Sequence, residues 1–234
     1  MDLNQYIPSR LTIFFRRIYF YLLGEKFYKK LNYDWHKHQN RFEIINKIIN
    51  IKKYKKYLEI GCQSDINFSR IQIDQRIGVD PYDGGTHRMS SDDFFKENKD
   101  SFDIIFIDGL HEYEQVLRDI KNSVKFLNKE GIIIVHDCLP SKIWHQTIPQ
   151  SHSSWNGDVW KAIVECRTLE NLDTYTCIAD HGLGIIFNRN NKNRLNLEIE
   201  NFKELKFKDY YENHKEFMNT ISENDLFSLI ENKI

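Results

Sequence analysis

Tyr57-Leu58-Glu59-Ile60-Gly61-Cys62-Gln63-Ser64-Asp65, followed by Gly78-Val79-Asp80, decides the fold. An apolar run enters a turn, and a second apolar run ends on a carboxylate about 20 residues after the first. A doubly wound α/β sheet uses this layout to hold a nucleoside. Backbone approaches the ligand at the tip of the first strand, and the acid accepts from ribose hydroxyls. Gly61 is the turn's single glycine, so the G-x-G-x-x-G of an NAD-type dehydrogenase is missing.

Outward from this stretch, short apolar runs alternate with amphipathic ones, which predicts βαβ units and a mainly parallel sheet. Strands are expected at 57–60, 76–80, 87–89, 103–108 and 131–136. Residues 112–127 read as a helix with Val116, Ile120, Val124 and Leu127 on its apolar face, and 157–167 as another. Residues 175–179 and 183–187 flank Asp180-His181-Gly182, a spacing that suits a tight hairpin and predicts one reversed strand at the end of the sheet.

Before the sheet, 11–23 (LTIFFRRIYFYLL) reads as a helix between Ser9 as N-cap and Gly24 as stop. It is too short to span a bilayer, and Arg16-Arg17 interrupt it. Its stripe of Leu11, Phe14, Ile18 and Leu22 is expected to pack on the domain or on a partner subunit in a homodimer, in preference to a membrane. A second helix is expected at 35–51, capped by Asp34 and buried through Phe42, Ile45, Ile48 and Ile49; His36 and His38 fall on different faces and are expected in solvent.

After the sheet, Asn190-Asn191-Lys192-Asn193 is a connector. Residues 195–234 read as charged amphipathic helices that cover the domain through Phe217, Ile221 and Leu226 or Phe227, with Tyr210, Tyr211 and His214 free to meet a substrate or partner. The expected organisation is a helical extension over 1–55, a core over 56–189 and a second extension over 190–234.

Composition narrows the function. The 234 residues are 41% hydrophobic with a formal net charge of -1, so there is material for one core and no global field for nucleic acid. Cys62, Cys138, Cys166 and Cys177 are scattered without C-x-x-C spacing, which fits neither a disulfide framework nor a zinc knuckle. Residues 1–10 carry no signal-peptide pattern, and a cytoplasmic protein is expected.

Three further motifs occur in order: Ile107-Asp108-Gly109-Leu110-His111, then His136-Asp137, then Asp158-Val159-Trp160-Lys161. With the opening stretch and the reversed strand, they make the chain from about Tyr57 to Asn188 resemble a class I S-adenosylmethionine-dependent methyltransferase. Within that class it is similar to a small bacterial group carrying Ile-Asp-Gly-x-His. The resemblance implies a Rossmann-like, doubly wound seven-stranded sheet with an antiparallel last strand. It also implies a site: Glu59, Gly61 and Gln63 at the methionine part of the cofactor, Asp80 at the ribose, Ser91 and Asp92 at the adenine.

For chemistry the resemblance points to Asp108 and Asp137. Metal-dependent O-methyltransferases of this class hold magnesium with an acid after the fourth strand and an Asp-Asn pair after the fifth. Here the pair is Asp137-Cys138, and a thiol suits a hard cation poorly, leaving Asp158 or water as third ligand. His111, His136 and Lys161 are the candidate general bases. The long loop 139–157, carrying Trp144, His145, His152 and Trp155, suits a polar ring acceptor. The group it resembles often methylates sugars or other polar small molecules of surface-glycan and natural-product pathways. The rival readings are an NAD-type oxidoreductase and a non-catalytic binding module, the latter because Gln63 and Asp65 stand where glycine is common.

Overall fold

The structure is a computed structural model that describes residues 8–231. Residues 1–7, on which the expectation of no signal peptide partly rests, and 232–234, the end of the expected C-terminal helices, lie outside the described residues. Seven strands form one sheet: β1 (Lys56–Ile60), β2 (Gln75–Val79), β3 (Phe102–Ile107), β4 (Leu127–Val135), β5 (Leu172–Cys177), β6 (Leu183–Asn188) and β7 (Thr220–Ile221). Their order is β2-β1-β3-β4-β6-β5-β7. β1 to β4 are parallel neighbours; β6 runs against both β4 and β5. The reversed strand is therefore present, inserted between β4 and β5.

The central strands are apolar on both faces because helices cover both. On one face Leu58, Ile105, Ile133 and Ile186 pack with Val116 and Ile120 of α4 (Tyr113–Phe126), Trp160 and Ile163 of α5 (Val159–Thr168) and Tyr210 of α6 (Phe207–Met218), written here in the order α1 (Arg10–Leu23), α2 (Arg41–Lys52), α3 (Ser91–Glu97), α4 to α6 and α7 (Glu223–Glu231). On the other, Tyr57, Ile104, Phe106, Ile134 and Ile185 pack with Ile44, Ile45 and Ile48 of α2 and Leu226 and Phe227 of α7.

Four expectations need correction. No strand forms at 87–89, where only a bridge between Val79 and His87 exists; the N–H groups of both Thr86 and His87 donate to the Gly78 carbonyl, which folds the chain back onto β2. The seventh strand instead comes from the C-terminal segment, where β7 runs parallel to β5. The helix expected at 35–51 is a short 3₁₀ turn (Trp35–Lys37) followed by α2, which Asn40 caps in place of Asp34; the Glu43 carboxylate accepts from the Asn40 N–H at 2.8 Å. Tyr210 is fully buried and shares a hydrogen bond with the Tyr33 hydroxyl at 3.2 Å, so it is core and meets no substrate. Finally, α1 buries no residue.

The C-terminal segment is structural. Leu226 is fully buried between α7 and α2, and Lys47 lies over the Phe227 ring. Leu226→Ala should cost about 2–5 kcal/mol by urea unfolding, the range for emptying a buried leucine site. A loss below about 1 kcal/mol would mean that α7 is not part of this core.

Candidate active site

The carboxyl ends of β1, β3 and β4 meet at one edge. Gly61 takes φ +87°, and a Cβ there would lie 2.2 Å from the Asp108 carbonyl oxygen, so only glycine lets the β1 turn pass the β3 tip. The turn continues through Gln63 (φ +47°) and Asp65 (φ +58°). Both side chains sit in a left-handed conformation that usually favours glycine. The turn keeps a glycine-like path without the glycines, held by two bonds: the Gln63 N–H donates to Asp80 Oδ2 at 2.9 Å, and the Gly85 N–H donates to Asp65 Oδ1 at 2.7 Å. Asp65 is thereby turned to the loop after β2.

Asp80 follows β2 and also accepts from Tyr82 and Asp83 N–H on Oδ1, at 2.8 and 3.0 Å. A carboxylate offers about four acceptor positions, so three backbone bonds leave one, on Oδ2, for an incoming hydroxyl. Glu59 is buried in β1 and accepts from the Tyr57 hydroxyl and from Asn67 Nδ2. Burial raises its pKa to about 7 despite those two donors. Ser91 Oγ accepts from Gln115 Nε2 at 3.2 Å, and Asp92 faces Arg118 at 3.6 Å.

Next to this turn is a cluster of alternating charge. Asp108 follows β3; its Oδ1 lies 3.1 Å from both His111 Nε2 and His136 Nδ1. Asp137 takes φ +60° after β4, a left-handed kink that brings Oδ2 within 3.2 Å of His136 Nδ1 and 3.4 Å of His111 Nδ1. Asn156 Nδ2 donates to Asp137 Oδ1 at 2.8 Å. Arg41 reaches in from the first turn of α2, its Nη1 3.2 Å from His136 Nε2 and from Asp180 Oδ2. Burial alone would raise the Asp108 and Asp137 pKa values, but the neighbouring imidazoles hold both carboxyls below their usual range. In return burial would lower the pKa of each histidine, and the carboxylates raise both.

His111 and His136 differ in what they have left to offer. His136 is 5% exposed and engaged at both ring nitrogens, so it positions others. His111 is also engaged at both nitrogens, Nε2 with Asp108 and Nδ1 3.2 Å from the Trp155 carbonyl, but its side chain is 18% exposed and stacks on Trp155, with ring centroids 5.3 Å apart. Lys161 does not join the cluster: on α5 its Nζ donates to the Lys203 carbonyl at 2.7 Å and pairs with Asp158 at 3.4 Å. Asp158, the alternative third ligand, accepts from the Tyr113 N–H at 2.7 Å and so anchors the start of α4. Cys138 is buried with its thiol toward the Val135 carbonyl. Its place as a third donor is taken by His111: one ligand atom from each of Asp108, His111 and Asp137 lies within 4.8 Å of the others.

Sequence reasoning missed Arg41, Asn156 and Asp180. Asp180 sits in the recognised hairpin turn, but nothing local marks it as a partner of Arg41 across 139 positions.

The comparisons bear on the first half of the chain and on the fold. Residues 34–138 match a family model described as a methyltransferase domain. The SAH-bound methyltransferase PaMTH1 of Podospora anserina is similar in structure at 14% identity and TM-score 0.50, over 66% of this chain and 81% of that one. Cofactor-bound Rv0187 from MTB is similar at 10% identity and TM-score 0.50, over 75% and 96%. No curated protein sequence matches the chain. Residues 34–138 thus resemble a methyltransferase domain, and the sheet has the Rossmann-like fold of such methyltransferases.

Glu59 gives this edge a pH signature. An acid whose folded pKa rises from 4.5 to about 7 contributes stability that is complete below the lower value and is lost as pH rises through the higher one. Between about pH 5 and pH 8 the ligand-free wild type should therefore lose up to about 3 kcal/mol relative to Glu59→Gln in urea unfolding. Parallel pH profiles for the two proteins would refute the raised pKa.

Proposed function

We propose that the methyltransferase domain uses S-adenosylmethionine to methylate a hydroxyl oxygen of a polar small molecule, a sugar or comparable ring compound. In this reading Asp108, Asp137 and His111 line the reaction centre. The observation that carries it is the meeting of those three side chains at the sheet's carboxyl edge, directly beside the Gly61 turn.

The residues fit the cofactor. Gly61 leaves the backbone bare where a Cβ would intrude, the Gln63 and Asp65 positions preserve the glycine-like path, and Asp80 Oδ2 keeps one acceptor position for a ribose hydroxyl. Glu59, Gln63, Ser91 and Asp92 complete the proposed cofactor side. When bound, S-adenosylmethionine supplies an electrophilic sulfonium methyl group.

The donor set also fits a divalent cation. Two carboxylates and an imidazole suit magnesium less than a borderline metal such as manganese or zinc, because magnesium prefers oxygen alone. Such an ion would be held by Asp108, Asp137 and His111 and would supply the Lewis acidity that lowers a bound hydroxyl's pKa.

The protein's own part is alignment and one proton transfer. Asp108 and Asp137 orient the acceptor hydroxyl. When no ion engages its ring, His111 in its neutral form takes the hydroxyl proton as the new C–O bond forms and the C–S bond breaks. His136 fixes both carboxylates, and Arg41 with Asp180 fixes His136. Trp155 beside His111, and Trp35 with ring centroids 5.3 Å from His181, offer flat apolar faces beside polar groups, as a sugar ring requires. A cytoplasmic place in surface-glycan or natural-product synthesis belongs to the same proposal and rests on the family resemblance.

Calorimetry on the ligand-free protein should show heat with S-adenosylmethionine and with its demethylated product, and none with NAD. Asp80→Ala should weaken cofactor binding by about tenfold or more, one charge-assisted hydrogen bond being about 1.5–3 kcal/mol. Asp137→Asn and His111→Ala should leave cofactor binding intact and lower turnover on a found acceptor about 10²- to 10⁴-fold. Silence with both adenosyl compounds would overturn the reading. Full turnover by Asp137→Asn would overturn its role alone.

A further inference from the structure

The first helix presents its apolar side away from the protein. At about 100° per residue, Leu11, Phe14, Phe15, Ile18 and Leu22 of α1 fall within one arc of about 100°. They are 64%, 56%, 60%, 41% and 63% exposed. The opposite side, with Ile13, Arg16 and Phe20, is the less exposed one. There Arg16 donates to the Gln150 carbonyl at 3.3 Å, and Arg17, at its margin, donates to the Ser151 carbonyl at 3.4 Å. Of the two expected coverings of this stripe, the domain and a partner subunit, the first is ruled out because the stripe faces outward.

We propose that this face lies on an anionic membrane surface. Residues 8–30 hold six Lys or Arg and one carboxylate, Glu25, in a chain whose net charge is -1, so the segment that carries the apolar face is basic. Glu25 is occupied, accepting from the Phe207 and Lys208 N–H groups at 2.9 Å each. Arg10 and Arg17 stand about 100–120° from the centre of the apolar arc, where the cations of an in-plane helix reach lipid phosphates while the aromatic rings enter the interface. A second copy of this chain fits less well, since pairing two such helices brings arginines together with no carboxylate on either. The helix has 14 residues, about 21 Å, well short of a bilayer core. Among the described residues no helix is long and apolar enough to cross a membrane. Because α1 touches the 139–157 loop at Gln150 and Ser151, seating it on lipid would bring the loop beside the candidate site to the membrane surface.

The test is co-sedimentation of the full chain with vesicles of phosphatidylcholine, alone or with about 30% phosphatidylglycerol. We expect binding to the mixed vesicles at least about tenfold tighter than to phosphatidylcholine, weakened by salt. Arg10→Gln should weaken it roughly fivefold, and Phe14→Ser with Ile18→Ser more than about tenfold, with thermal midpoints unchanged. Equal or absent binding to the two vesicle types would overturn the proposal. So would a concentration-dependent dimer, in sedimentation velocity without lipid, that the Phe14→Ser, Ile18→Ser variant abolishes while vesicle binding is unaltered.

Discussion

Asp108 is held at both its backbone and its side chain, and the carboxyl edge of the sheet is built around it. Its N–H donates to the Ile60 carbonyl at 2.8 Å, continuing the ladder between β1 and β3 one residue past the strands. Its carbonyl lies where a Cβ on residue 61 would be. Its carboxylate then meets two histidines, one three residues on and one at the end of β4. A single residue thereby fixes the turn after β1 relative to the charged cluster.

The cluster around it is stable because its charges alternate. Asp108, Asp137 and Asp180 are interleaved with Arg41, His111 and His136, and the six come from α2, the β3 and β4 ends, the segment before α4 and the β5–β6 turn. Buried charges persist only when paired and hydrogen-bonded, so each segment constrains the rest. The left-handed kink at Asp137 is part of that arrangement: it costs backbone energy and in exchange points the carboxylate back toward His111.

How much of this the sequence carried follows from the range of the interactions. Strands buried on both faces read as unbroken apolar runs, so β1, β3 and β4 were legible from residues 57–60, 103–108 and 131–136 to within a few positions. Residues 87–89 were not, because their pairing is undone by a backbone fold-back onto Gly78 that leaves no mark in hydropathy. β7 has two residues, too few for any periodic signal. Among site residues, Asp108, His111, His136 and Asp137 stood in local motifs. Arg41 and Asn156 act across long sequence separations and look like ordinary surface residues until the chain is folded. The covering of α1 was left open between the domain and a partner subunit for a related reason: amphipathic spacing identifies an apolar side and says nothing about what it faces, and only the structure excludes the domain.

Gln63 and Asp65 pose the sharpest question, since the missing glycines were the reason to consider a degenerate site. Glycine is favoured in such a turn because it reaches positive φ without steric cost. Here the same φ values are imposed on side-chain-bearing residues, at a cost of roughly 1–2 kcal/mol each. That cost is offset locally by the Asp80 bond to Gln63 and the Asp65 bond to Gly85. The protein's own bonds therefore hold the glycine-like path at both positions. With the path so held, the missing glycines do not by themselves distort the turn, and Asp80 keeps the acceptor position that the proposed function uses.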